Sequence, residues 1–178
     1  MKVTRSVFLM FAFVSGLIAT TGAQVRPVQD NNPRFMTFKN ADFEIVLGPN
    51  WKHRDTEGTF EWEDDKDLQE IVISVFTTNE VMDTSDTAKR LMEHRKKAIY
   101  DISEGKAVLT DVEKVENKQG TELIVWGIDK IYGMQVYTSV IVHPKRAVTV
   151  AYYKYSPLMK DSAFRTKSQE IRAALKVH

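Results

Sequence analysis

Three strand-like runs follow one another in the second half of the chain with almost nothing between them: Thr121 to Lys130, Met134 to His143 and Ala147 to Tyr155. The joining turns, around Gly133 and at "PKR", are too short for a crossover, so the runs must pair as antiparallel neighbours. In "LIVWGI" and "AVTVAYY" apolar and aromatic residues occupy both parities. A strand with one wet face alternates; a strand apolar on both parities needs cover on both sides of its sheet. This requirement excludes an open, one-sided sheet.

The rest of the chain supplies candidates for that cover. Ala107 to Glu116, then the turn "NKQG", adds a fourth strand to the meander. Upstream, Phe43 to Leu47 is a short strand stopped by Gly48-Pro49-Asn50, and Trp51 to Asp55 continues as an extended piece. Thr59 to Glu63 and Gln69 to Thr77 form a hairpin around "DDKDL", and "IVISVF" carries the β-branched enrichment of a buried strand. Past the polar cluster Asn79 to Ser85, the residues Ala88, Leu91, Met92, Arg95, Ile99 and Ile102 recur at helical spacing. The spacing predicts a helix from about Asp86 to Asp101, capped by Asp83 or Ser85. A second helix is expected from about Asp161 to Lys176, with Phe164, Ser168, Ile171 and Leu175 inward. The expected class is α/β in the α+β sense: an α/β/α sandwich, its mainly antiparallel sheet of six to eight strands carrying a helix on each face.

The first 23 residues stand apart. Lys2 and Arg5 precede an apolar run from Val7 to Ala19, and small residues follow at Thr21, Gly22 and Ala23, the layout of a secretory signal peptide. The run is interrupted by Ser15-Gly16 and falls short of the roughly 20 apolar residues a spanning helix needs. Gln24 to Arg34, with two prolines and no apolar period, reads as a tether, and one domain is expected from 35 to 178. The chain has no cysteine, so no disulfide supports the fold and no thioether lipid can be attached after the leader. With Lys2 and Arg5 in the leader, the remaining charge is close to balanced, which gives no argument for nucleic acid as a partner. A soluble exported protein of the periplasm or cell exterior is expected.

The order of elements, together with Phe43, Pro49, Asn50 and Trp51 at the start and the helix "SAFRTKSQEIRAAL" near the end, resembles the PsbP-like and Mog-type fold family over roughly Phe35 to Val177. The resemblance implies that Pro49 and Trp51 are a structural corner, the proline turning the chain and the indole plugging the end of the sheet. It also implies action by binding: members of the family include extrinsic accessory proteins of photosynthetic membrane complexes, a nuclear transport cofactor that binds a small GTPase, and many exported bacterial proteins. Metal sites occur in some photosynthetic members, and no ligand set of theirs maps onto the histidines of this chain.

Motifs of catalysis are missing from the sequence. There is no Gly-x-Ser-x-Gly elbow, Ser74 and Ser139 lie mid-strand where they are expected to face the sheet surface, and no Gly-rich turn opens a helix. His53, His94, His143 and His178 lack ligand spacing, and Glu93-His94 has no second histidine one turn on. Glu61, Glu63, Asp64, Asp65 and Asp67 offer oxygen for a hard cation, but between two strands such a run reads first as a solvated hairpin. Trp62 shares the face of Phe60 and is expected in the core.

Two groups remain as candidate binding residues. One is the basic helix face of Lys89, Arg90, His94, Arg95, Lys96 and Lys97, suited to an acidic protein or lipid head groups and interrupted by Glu93 and Asp101, with Glu93 able to reach Lys97. The other is Tyr153 and Tyr155 on one strand face, which with Trp126 could line a hollow under a helix or, with Tyr137 and Tyr152, simply fill the core. No catalytic residue, metal ligand or cofactor is assigned, and the expected role is a non-catalytic binding or accessory module of a bacterial envelope. The alternative is a metal-dependent hydrolase combining the acidic hairpin with a histidine. Intact-mass analysis of protein recovered from the producing cell is expected to find a chain beginning at Gln24; a chain retaining Met1 to Ala23 would contradict the signal-peptide reading.

Overall fold

The computed structural model describes residues 18–19, 26–28, 35–56, 59–117 and 120–178. Most of the expected leader and tether lies outside these residues. Among these residues, thirteen strands and two helices run in the order β1 (Ile18–Ala19), β2 (Arg26–Val28), β3 (Met36–Lys39), β4 (Phe43–Leu47), β5 (Lys52–Thr56), β6 (Thr59–Asp64), β7 (Gln69–Thr77), α1 (Thr84–Ile102), β8 (Val108–Leu109), β9 (Glu113–Asn117), β10 (Gly120–Asp129), β11 (Met134–His143), β12 (Arg146–Tyr155), α2 (Asp161–Ala174) and β13 (Leu175–Val177). The main sheet is ordered β5-β6-β7-β12-β11-β10-β8, with β9 also on β10 and β1 on β7. A second sheet, ordered β13-β4-β3-β2, is separate from it. Every pairing is antiparallel.

The central strands β7, β12, β11 and β10 are buried along nearly their whole length on both parities, as "LIVWGI" and "AVTVAYY" require. Register sorts their side chains into two cores. Val72, Val125, Val136, Val140, Ala151 and Tyr153 pack with Ala88, Leu91, Met92 and Ile99 of α1. On the opposite parity Ile71, Ile73, Tyr137, Ile141, Val150 and Tyr152 pack with Phe164 and Ile171 of α2 and with Phe38, Phe43, Ile45 and Leu47 of the small sheet. The architecture is a mixed α+β fold of mainly antiparallel sheets with two helices. The single sheet expected from the sequence is in fact two: Phe38 on β3 and the alternating Phe43, Ile45 and Leu47 on β4 give the smaller sheet an apolar face that packs into the second core.

Three local features follow from particular residues. Asn40 closes the β3–β4 turn, its Oδ1 accepting the amides of Asp42 at 2.8 Å and Phe43 at 2.9 Å. The expected strand from Ala107 to Glu116 is broken: Leu109 faces Gly127 but Glu113 faces Ile124, so three residues oppose two in a bulge. Gly127 permits it, since a Cβ there would lie 2.4 Å from Leu109 Cδ2. The closing helix stops at Ala174, two residues before the expected Lys176, because Leu175–Val177 turn extended and pair with β4. At the other helix Asp83, one of the two expected caps, accepts the amide of Asp86.

Trp51, just after the Gly48-Pro49-Asn50 turn, is buried in the second core with Trp62. Two of the outer strands of the main sheet, β5 ("KHRDT") and β9 ("EKVEN"), are rich in charge, which discourages pairing with another chain.

The second core contains one strong polar bond. Glu122 on β10, side chain 7% exposed, accepts Arg172 Nε at 2.6 Å and Nη2 at 2.9 Å, and Ser139 Oγ at 2.6 Å. The fork geometry fixes α2 against β10. Ser139 and Ser74 are therefore buried, not on the sheet surface as expected, and Ser139 is committed to Glu122. Arg172→Ala is expected to cost about 3 kcal/mol in denaturant unfolding, because it leaves Glu122 buried without its counter-charge. The paired change Glu122→Gln with Arg172→Met should recover most of that loss, and equal stability of wild type and Arg172→Ala would contradict the assignment.

Candidate functional site

Where β5, β6 and β7 meet α1's side of the sheet, the apolar face gives way to charge. Cross-strand register places Arg54 opposite Glu61 and Glu61 opposite Val72, with Lys52 opposite Glu63, Glu63 opposite Glu70 and Glu70 opposite Tyr153. Glu61, Glu63 and Glu70 each bring a carboxylate oxygen within 4.8 Å of the others. Arg54 Nη2 lies 2.9 Å from Glu61 Oε2 and 2.9 Å from Glu63 Oε1, and Tyr155 donates its hydroxyl to Glu70 Oε2 at 3.0 Å. Burial pushes Glu70 above the usual carboxylate range; Tyr155 opposes that, Glu61 and Glu63 reinforce it, and Arg54 draws it back.

Tyr153 and Tyr155 stack with ring centroids 6.3 Å apart. Arg95 reaches down from α1 and donates through Nη2 to the Tyr153 hydroxyl at 3.2 Å. The guanidinium is buried, and its Nε and Nη1 have no hydrogen-bond partner among the described residues. Burial raises both tyrosines, so their phenols stay protonated at any ordinary pH. The result is a polar chain running from α1 to the sheet edge: Arg95, Tyr153, Tyr155 by stacking, Glu70, then the Arg54-bridged pair Glu61 and Glu63.

Of the candidate binding residues, Arg95, Tyr153 and Tyr155 are brought together here, and the other basic residues are not. Arg95 belongs to the buried stripe, since it follows Ala88, Leu91 and Met92 at helical spacing. Lys89, Arg90 and Lys97 face solvent and Lys96 is half-buried. Arg90 pairs with Asp86, Lys97 with Asp101, and Glu93 with Lys96, not Lys97. Trp126 does not share a hollow with Tyr153. It lies on the opposite parity beside Tyr137, with the Arg165 guanidinium 4.7 Å above its ring. Tyr137 and Tyr152 are buried on that side too, Tyr152 stacked on Phe164 and bonded to Gln69.

The acidic hairpin divides by strand parity. Glu61 and Glu63 join Glu70, whereas Asp64 turns inward and accepts the amides of Lys66 and Asp67, and Asp65 pairs with Lys52. Among the described residues no other grouping has metal-ligand spacing, and this one contains no histidine. His53 Nδ1 lies 3.1 Å from the backbone carbonyl of Glu61, and its ring lies against Trp62 and Phe38 in the other core. The arrangement needed for a hairpin-plus-histidine metal centre is therefore not formed. Arg54 already holds the place between Glu61 and Glu63 where a cation would sit. Glu70 and Arg54 are the residues that sequence reading overlooked; parity within "TFEWED" and the short turn to "QEIV" align them, but only the register shows it.

No protein-family model matches the chain, and no curated protein matches it in sequence. Among solved structures it is similar to a cyanobacterial PsbP from Synechocystis sp. PCC 6803, with a TM-score of 0.55 at 14% identity, over 96% of this chain and 99% of that one. It is also similar to a protein from Bacteroides thetaiotaomicron VPI-5482, with a TM-score of 0.43 at 12% identity, over 76% of this chain and 45% of the other, a score at which no shared fold follows. The first likeness, spanning both chains almost end to end, shows a PsbP-like fold.

Proposed function

We propose that this chain is a non-catalytic, exported accessory module of a bacterial cell envelope that works by contact with a protein or envelope component, on the PsbP-like and Mog-type plan of a sheet with a helix on each face. The observation that carries the reading is the end-to-end likeness of fold to a PsbP. Burial and pairing agree with it: the strand serines lie inside the protein, Ser139 bonded to Glu122, and the carboxylates of Glu61, Glu63, Asp64, Asp65 and Glu70 are engaged by Arg54, Lys52, Tyr155 and turn amides. No helix among the described residues is long and apolar enough to cross a membrane.

The contact surface we assign is the outer face of α1 with the loops at its C-terminal end. Lys89, Arg90 and Lys97 are exposed there. Lys106 lies 4.6 Å from the Tyr132 ring centroid and pairs with Glu104, which joins the β10–β11 turn to the end of the helix. Ile131 in that turn and Val108 on β8 are each 70% exposed. Lys106 over the Tyr132 ring, with exposed Ile131 in the same turn and basic side chains along the helix, suits an acidic partner surface with some apolar area.

Retention on a washed envelope fraction is expected to fall as salt rises, since exposed charges are screened over about 8 Å at physiological ionic strength. Lys89→Glu with Lys97→Glu should lower retention at least several-fold while shifting stability by less than about 1 kcal/mol. Retention unchanged by both salt and these substitutions, or steady turnover in a broad hydrolase screen, would contradict the proposal.

A further inference from the structure

The β5–β6–β7 corner holds more negative charge than its geometry balances. Three carboxylates have oxygens within 4.8 Å of one another, and one guanidinium, Arg54, serves two of them. Glu63 and Glu70 are direct register partners, a like-charge pair that opposes strand pairing when both are ionised. Lys52, the other cation on that parity of β5, is drawn away to Asp65 at 2.6 Å. The remaining groups facing Glu70 are Tyr153 and Tyr155 of β12, with Arg95 of α1 held one hydroxyl away. Neither tyrosine adds charge, and Arg95 is bonded to Tyr153.

We propose that the like-charge opposition of Glu63 and Glu70 across the β6–β7 ladder makes the β5–β6 hairpin a pH-sensitive edge, firm while Glu70 is protonated and loosened when Glu70 is ionised as well. Two features of the fold make the edge responsive. β5 is an outer strand of the main sheet, paired only with β6, and its attachment runs through the same Arg54 that bridges Glu61 and Glu63. Glu70 is the best seat for the proton: of the three it is the one without a salt bridge to Arg54, it is opposed by Glu63, and burial disfavours its charged form. Because its folded-state value is raised above the ordinary 4.5, its stabilising contribution is complete below that pH and is lost as pH climbs through the raised value.

Urea unfolding of the full chain at about pH 4 and about pH 8, for wild type and Glu70→Gln, tests this. The wild-type midpoint should fall between the two, and Glu70→Gln should lose most of that fall. A Glu70→Gln midpoint that falls as far as wild type, or a wild type that does not fall, overturns the proposal. Should Glu70→Gln not fold, the carboxyl carbon of Glu70 followed by NMR in the wild-type protein decides alone: titration centred above about 4.5 supports the proposal, and titration at or below it refutes it.

Discussion

Every other feature of this protein answers to the two-sided burial of β7, β12, β11 and β10. Neighbouring residues such as Val140 and Ile141 are both sequestered, one under α1 and the other under the small sheet and α2. Each such side chain is worth about 1.5–3 kcal/mol when fully withdrawn from water, and without disulfides this packing is what holds the fold. The covering elements are consequently amphipathic: α1 gives up its Ala88, Leu91, Met92 and Ile99 stripe, and β4 its alternate Phe43, Ile45 and Leu47.

Several of the buried polar groups sit where elements must be fixed. Glu122 with Arg172 orients α2, Tyr152 with Gln69 and Lys154 with the Asp67 carbonyl bind the end of the β6–β7 hairpin to β12, and Asp42 with Arg146 ties the small sheet to the large one. Such bonds fix one arrangement of layers among several that hydrophobicity alone would accept. In the proposed role the α1 face and the loops at its end meet the partner, and the charged edge beside Glu70 is proposed to respond to the medium.

The sequence made the long elements legible because their signals are strong. "LIVW" and "AVTVAYY" are β-branched and aromatic on both parities between turn residues, which marks buried strands, and Ala88 to Ile102 repeat at helical spacing. Short elements were lost to context. "MTFK" has one buried residue, Phe38, and "LKV" reads as the tail of a helix until β4 offers it a partner. The break between β8 and β9 depends on Gly127 accepting Leu109 across the ladder, which no local pattern announces. Arg95 could be read as part of a basic face or of the buried stripe, and charge favoured the first while spacing gave the second. The Glu61, Glu63 and Glu70 cluster depends on cross-strand register, and the sequence carries each parity but not their alignment.

Because the chain contains no cysteine, its core can be probed with single thiols against a silent background. Val140→Cys and Ile141→Cys point to opposite faces of β11 and are each conservative in volume. Reaction of each with a thiol reagent in native buffer and in denaturant is the most direct test of the two-covered sheet. Both are expected to be unreactive while the protein is folded and to label fully once it is unfolded; rapid labelling of either one in native buffer would mean that one face of the sheet is bare.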